Sequence, residues 1–333
     1  MPMPPEAILG LGRKFMESRI VLTAAELDVF TLLDQGSLTA DEIAGRLEAT
    51  PRGVALLLDA LVPLGLIEKQ DGRYHCPAEV AAVLSKHSPT SLLPMLLLSV
   101  GGWRRWSNLT DIVRNGATGA RPAVYDGNHQ EQATFIQAMH VLARRVAPAI
   151  VAAVGPGDAT RLLDIGGALG TYTEAFLEAS PALRATLFDL PPVVEMARKR
   201  FESTDLASRV SFATGDFYQD ELPPDHDLAL LSAIIHQNSP EQNLALYQKV
   251  ARALRPGGRL VIRDHVMSPD HTEPASGTLF AVNMLVVTAG GSTYSFDEIR
   301  QGLQEAGFTR IKLLQTGERM DGLVEAFLPD NNA

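Results

Sequence analysis

In the second half of the chain, apolar positions fall in short runs: Leu162–Ile165, Ala185–Phe188, Val210–Ala213, Leu228–Ile235 and Leu260–Asp264, then Arg310–Leu314 and Leu323–Phe327. Runs of about four to eight residues are strand length, and the stretches between them space their apolar residues as helices do. Strands alternating with helices predict βαβ units and a largely parallel sheet covered on both faces, an α/β fold that begins near Gly155-Pro156-Gly157. The first ninety residues follow a different pattern and read as mostly helical. Leu27, Phe30, Leu32 and Leu33 share an amphipathic stretch that ends in the turn Asp34-Gln35-Gly36-Ser37. Thr39 with Glu42 three residues on is a capping signature, and Thr50-Pro51 opens a helix bearing Val54, Leu57, Leu58, Leu61 and Leu64. Leu66–Lys69 and Arg73–His75 then flank Gln70-Asp71-Gly72, a hairpin signal. Helix, helix and hairpin in this order form the pattern of a winged helix. Residues 91–155 read as a helical connector with a loop over Gly116–Gly127 that holds Pro122, so the expected division is 1–90, 91–155 and 156–333.

Composition narrows the function classes. A chain of 333 residues with 46% hydrophobic and 20% charged content has the material for two globular domains. Cys76 is its single cysteine, which excludes an internal disulfide framework and points to a reducing, cytoplasmic setting. The start, Met1-Pro2-Met3-Pro4-Pro5-Glu6, lacks the marks of a signal peptide, and the apolar run Ser91–Val100 is too short to span a bilayer. With 29 Lys plus Arg against 39 Asp plus Glu, the net charge of −10 disfavours nucleic acid as a partner, and no membrane partner is expected. A DNA-reading second helix would present several polar or basic side chains, yet between Arg52 and Glu68 only Asp59 is charged. That helix is built for packing, and a ligand-sensing DNA-binding regulator is the disfavoured reading.

Candidate chemistry lies at three strand ends. Leu162–Ile165 runs into Gly166-Gly167-Ala168-Leu169-Gly170, and a helix follows through Phe176 and Leu177. Glycines at a strand-to-helix turn let backbone approach a ligand, and the crevice beyond such strands is where α/β sheets bind ligands. Neither the spacing of a dinucleotide loop nor the Gly-Lys-Ser/Thr of a P-loop is present. The next strand ends in Asp189, roughly 20 residues beyond the loop, where a carboxylate accepts from ribose hydroxyls. The third ends in Gly215-Asp216-Phe217, an acceptor for an exocyclic amine beside a ring that flanks a flat base. Together these residues describe a nucleoside pocket.

The stretch Leu163 to Gly170 resembles the first motif of class I S-adenosylmethionine methyltransferases. The fuller set is Leu-Asp-Ile-Gly-Gly, Phe-Asp-Leu-Pro, Gly-Asp-Phe, Leu-Ser-Ala-Ile-Ile-His, Leu-Arg-Pro-Gly-Gly-Arg-Leu and Glu-Ala-Gly-Phe. It is similar to the small-molecule O-methyltransferases that include the plant caffeate and hydroxyindole enzymes and bacterial antibiotic-tailoring enzymes of secondary metabolism. The resemblance covers essentially the whole chain. It implies a Rossmann-like sheet of seven strands with the last, around Leu323–Phe327, antiparallel, and a winged-helix domain that makes a homodimer. It also implies S-adenosylmethionine as donor, with S-adenosylhomocysteine as product, no metal, and cofactor contacts from Asp164, Gly166, Gly167, Gly170, Asp189, Leu190, Asp216, Phe217 and Ser232. Ala168 stands where many relatives have glycine.

His236, at the carboxyl end of the fourth strand, matches the general base of the plant enzymes, and an imidazole with an ordinary pKa of about 6.5 suits removal of a hydroxyl proton. Gln237-Asn238 replace the usual Asp-Trp that follows it, and the two carboxylate positions near the base align with His265 and Thr293, so His236 is expected to lack acidic support. Asp264-His265 is only a pair and gives no metal site of convincing spacing. The helix Leu279–Thr288 is expected to wall an apolar pocket for an aromatic or polyketide-like hydroxylated acceptor with Phe280, Asn283, Met284 and Val287. Phe135 and Met139 would close that pocket, and Trp103 and Trp106 would cover it. The altered surroundings of His236 leave methylation at carbon or nitrogen, or a non-transfer reaction, as the alternative.

Overall fold

The computed structural model describes residues 3–116 and 129–330, in two compact units divided between Arg104 and Arg105. The loop expected over Gly116–Gly127 lies, from position 117 onward, outside the described residues.

The first unit contains α1 (Pro5–Arg13), α2 (Phe15–Glu26), α3 (Val29–Asp34), β1 (Leu38–Thr39), α4 (Ala40–Leu47), α5 (Pro51–Leu61), β2 (Glu68–Gln70), β3 (Arg73–His75), α6 (Ala78–Leu84) and most of α7 (Leu93–Trp106). The amphipathic stretch around Leu27 is not one helix: it breaks at Asp28, whose φ of 55° closes α2 and starts α3. Phe30, Leu33, Ile43, Leu58 and Leu61 are fully buried in one core, the inward stripe of helix-spaced apolar residues. Thr39 caps α4 in a reciprocal capping box with Glu42. Asp71 and Gly72 both take positive φ, as a two-residue hairpin turn requires, and join β2 to β3. β1 adds a third strand beside β3, which the capping reading of Thr39 did not foresee. Trp103 belongs to this unit, with the Arg19 guanidinium over its ring at 5.8 Å.

The second unit runs α8 (Leu109–Asn115), α9 (His129–Val154), β4 (Arg161–Ile165), α10 (Thr171–Ala179), β5 (Arg184–Asp189), α11 (Pro191–Phe201), β6 (Val210–Thr214), β7 (His226–Ser232), α12 (Pro240–Ala253) and β8 (Leu254–Asp264). It continues with β9 (Val266–Met267), α13 (Ala275–Val287), β10 (Tyr294–Ser295), α14 (Phe296–Glu305), β11 (Thr309–Gln315) and β12 (Gly322–Phe327). Its seven-stranded sheet has the order β11-β12-β8-β7-β4-β5-β6. β8, β7, β4, β5 and β6 pair in parallel, and β12 runs antiparallel against β8. This is the Rossmann-like methyltransferase architecture expected from the sequence. β9 and β10 form a separate parallel pair that the hydrophobic pattern did not reveal, each strand being only two residues long.

The segment Gln132–Val154 of α9 has the length and apolar composition of a membrane span. Its Ala147, Ile150, Val151 and Val154 nevertheless cluster with Leu162, Phe176 and Leu230, which is how a core helix packs on a sheet. The opposite face buries Leu163, Ile165, Leu231 and Ile262 against α12 and α14. Full burial of each such side chain stabilises by about 1.5–3 kcal/mol. Strand order reverses between β4 and β7, so the carboxyl ends of these two strands frame a crevice.

Candidate active site

The turn after β4 is shaped for close approach. Gly166 has φ 69°, and a Cβ there would lie 2.5 Å from Ile234 Cδ1. A Cβ on Gly167 would meet the Asp164 carboxylate and Leu187 at 2.9 Å. Ala168 itself adopts φ 50°, a left-handed conformation that costs a non-glycine residue on the order of 1 kcal/mol. Its amide donates to Asp189 Oδ2 at 2.9 Å, which ties the turn to the end of β5.

Asp164, buried on β4, accepts from Thr173 Oγ1 at 2.6 Å, and burial pushes its carboxyl up to about 6. Asp189 accepts from the amides of Ala168 and Leu190. Burial lifts it to about 6 as well, against the pull of those two amides and with a smaller push from the Asp164 charge. Asp216, past β6, is held by the Tyr218 amide and by Gln219 Nε2, each at 2.9 Å. The Phe217 ring is buried and lies 4.6 Å from that of Tyr218.

These residues line one cavity of about 470 Å³ together with Gly166, Gly167, Leu190 and Ser232. Phe135 and Met139 of α9 also line it, as the acceptor reading expected, and so do His140, Tyr172, Gln237 and Arg263, which sequence reasoning missed. Gly170 does not. Its φ is 74°, and a Cβ there would strike Phe201 and Leu187, so this glycine lets α10 start close against the protein interior. An adenosyl sulfonium fits this lining. Two carboxylates can accept from sugar and base donors, an aromatic ring borders them, and the glycine turn leaves room that a Cβ would fill.

The chain beyond β7 departs from the expected strand through Ile235. β7 ends at Ser232, and Ile235–Gln237 form one 3-10 turn that carries His236. The turn is pinned from behind. Asn238 is completely buried: its Oδ1 accepts from Tyr218 Oη at 2.6 Å, its Nδ2 donates to Asn243, and its carbonyl accepts from Tyr294 Oη. Asn243 Nδ2 in turn donates to the Ile235 carbonyl at 2.9 Å.

The expectation that His236 lacks acidic support is corrected. Asp264, at the end of β8, places both carboxylate oxygens 2.9 Å from His236 Nδ1. The family pattern, laid over the sequence, sets His265 at that position, one residue too far along. Burial alone would raise the Asp264 carboxyl. The charge and hydrogen bond of His236, with the His265 amide, hold it below the usual range. A carboxylate at Nδ1 fixes the proton on that nitrogen and leaves the Nε2 lone pair free.

Of the α13 residues, Phe280 meets the His236 ring edge-on at 4.9 Å and lies 5.0 Å from the His265 ring. Asn283 instead accepts from Trp106 Nε1 at 3.0 Å, and Met284 is buried. Trp106, Phe280, Asn283, Met284 and Val287 do not border the large cavity, and neither does His236 itself, whose chain neighbours Ile234 and Gln237 do.

Comparison with known proteins agrees with this geometry. Residues 106–309 match the model of an O-methyltransferase domain, and residues 9–87 that of an O-methyltransferase dimerisation domain. The tetracenomycin polyketide synthesis 8-O-methyl transferase TcmO of Streptomyces glaucescens is 31% identical over 92% of each chain. Human N-acetylserotonin methyltransferase in complex with SAM superposes with a TM-score of 0.84 at 25% identity over 99% of each chain. The mitomycin 7-O-methyltransferase MmcR does so with a TM-score of 0.86 at 27% identity over 97% of each chain. The chain belongs to the S-adenosylmethionine-dependent O-methyltransferases that join a dimerisation domain to a class I catalytic domain.

Proposed function

We propose that this enzyme methylates a hydroxyl of a small aromatic or polyketide-type acceptor, with His236 as general base. The observation that carries the proposal is the His236–Asp264 pair at 2.9 Å. When bound, S-adenosylmethionine supplies an electrophilic methyl on a sulfonium. A hydroxyl attacks well only as it loses its proton, and Nε2 of an Nδ1-protonated imidazole is the acceptor for that proton. Asp264 then stabilises the imidazolium that forms. The Phe280 edge limits water around the ring, and a drier site strengthens the attraction between these charges.

Phe135 and Met139 are the acceptor contacts nearest the cofactor cavity, with Phe280, Asn283, Met284, Val287 and Trp106 as an outer wall. The apolar side chains that predominate in both sets favour a weakly polar acceptor, and the names of the tetracenomycin polyketide and mitomycin O-methyltransferases point to the same tailoring class. In this reading residues 1–90 hold a homodimer together, 91–155 help shape the pocket and 156–333 carry the chemistry, in a cytoplasmic enzyme.

The test is His236→Ala against a panel of phenolic naphthoates and anthraquinones. Turnover is expected to fall by about 10²–10⁴-fold, while calorimetry shows unchanged S-adenosylhomocysteine affinity. Undiminished turnover would remove His236 from the chemistry. Methyl groups found on carbon or nitrogen in the products would overturn the acceptor class.

A further inference from the structure

The cavity contains a half-buried cation that, among the described residues, no acidic side chain satisfies. Arg263 lies on β8 directly opposite Ser232 of β7, and its Nη1 is 3.5 Å from Ser232 Oγ. The guanidinium sits over the Tyr172 ring at 5.6 Å from its centroid. Its Nε is buried with no hydrogen-bond partner, and the buried Tyr172 hydroxyl, beside Ser232, likewise makes no well-formed hydrogen bond. Arg259, four residues earlier on the same strand, shares the unpartnered Nε, but its Nη groups show the ordinary solution. It pairs with Glu325 at 2.9 Å and caps the Val154 and Gly155 carbonyls. Among the described residues Arg263 has no such carboxylate.

A guanidinium withdrawn from water without an anion is costly, and its planar fork matches a carboxylate. The donor molecule brings one. Its nucleoside end belongs with Asp189 and Asp216, and its methionine end carries an α-carboxylate that those acids and Asp164 would repel. Ser232 and Arg263, at the ends of β7 and β8 on the far side of the switch point from β5 and β6, line the same cavity as Tyr172 of the first turn of α10. Arg145 and Arg319 also border it, but both are exposed, where the same contact is weakened by solvent.

We propose that Arg263, with the Tyr172 and Ser232 hydroxyls, binds the α-carboxylate of the S-adenosylmethionine amino-acid end. Tyr172 and Ser232 each donate one O–H, and Arg263 donates from its fork. The inference rests on the cofactor assignment and is independent of the role given to His236.

The experiment compares two ligands by calorimetry: S-adenosylhomocysteine, which has the amino-acid tail, and 5′-methylthioadenosine, which lacks it. Arg263→Met is expected to weaken S-adenosylhomocysteine by about 10–100-fold, the range for a charge-assisted hydrogen-bond set. Its affinity for 5′-methylthioadenosine should stay the same. Tyr172→Phe should produce the same selective loss at smaller size, and serves alone if Arg263→Met does not fold. Equal losses for both ligands would reduce Arg263 to a structural part. An unchanged S-adenosylhomocysteine affinity with a raised acceptor KM would give the anion site to the acceptor instead. Either result overturns the proposal. Asp189→Ala, which should weaken both ligands alike, reports separately on the nucleoside pocket.

Discussion

Asp189 illustrates how a residue's type, its burial and its ligand combine into a measurable titration. The free enzyme holds this carboxyl near 6 because burial outweighs the two amides that donate to it. Ribose hydroxyls donate to the ionised form, so ligand and proton compete. Affinity for S-adenosylhomocysteine should therefore be flat from pH 8 down to about 6.5 and then fall as pH drops through 6, approaching tenfold per pH unit for a single proton. Asp164, also near 6, is the neighbouring group that titrates in the same window, but it already accepts from Thr173. Calorimetry on Asp189→Asn separates the two. That variant should bind more weakly and without the acid limb, and a persisting limb would assign the titration to Asp164. Ala168 is a second case in which a single residue matters more than its size suggests. Its left-handed backbone aims the amide at Asp189.

At the scale of elements, the turn between β7 and α12 decides where the base stands. Four side chains from four segments, Tyr218, Asn243, Tyr294 and Asp264, hold Ile235, His236 and Asn238 in place. α12 then opens with a capping box in which Ser239 accepts from the Gln242 amide and Gln242 Oε1 accepts from the Ser239 amide. Loss of the cap in Ser239→Ala is expected to cost about 1 kcal/mol, read as a lower denaturant midpoint with an unchanged slope. An unaltered midpoint would mean that the surrounding hydrogen bonds carry the helix start without the cap.

For the whole molecule, the prediction concerns assembly. Residues 9–87 match a dimerisation domain, and α1 and the start of α2 expose Ile8, Leu9, Leu11, Phe15 and Met16. Five large apolar side chains within nine residues, 8 through 16, are more than scattered surface hydrophobics, and a second copy would remove them from water. Sedimentation equilibrium should give twice the mass of the 333-residue chain, and Leu9→Glu with Phe15→Lys should shift it toward monomer. A monomeric wild-type chain at micromolar concentration would contradict the homodimer.

The hydrophobic period located the strands of the large sheet, and the local signals Thr39 with Glu42, Thr50-Pro51 and Asp71-Gly72 located two helix starts and the hairpin of the first unit, because such features depend on neighbours a few residues apart. Asp164, Asp189 and Asp216 were legible for the same reason: each lies at or just past the carboxyl end of a strand, and in a parallel sheet those ends share one edge. What only the tertiary structure decided was the company those residues keep. Asp264 reaches His236 across 28 positions of chain, Gly170 turns its Cα toward Phe201, and Arg263 meets Tyr172 across two elements. No periodicity encodes such contacts. They depend on strand register, where a shift of one residue sends a side chain to the opposite face, and a one-residue misalignment put His265 where Asp264 stands.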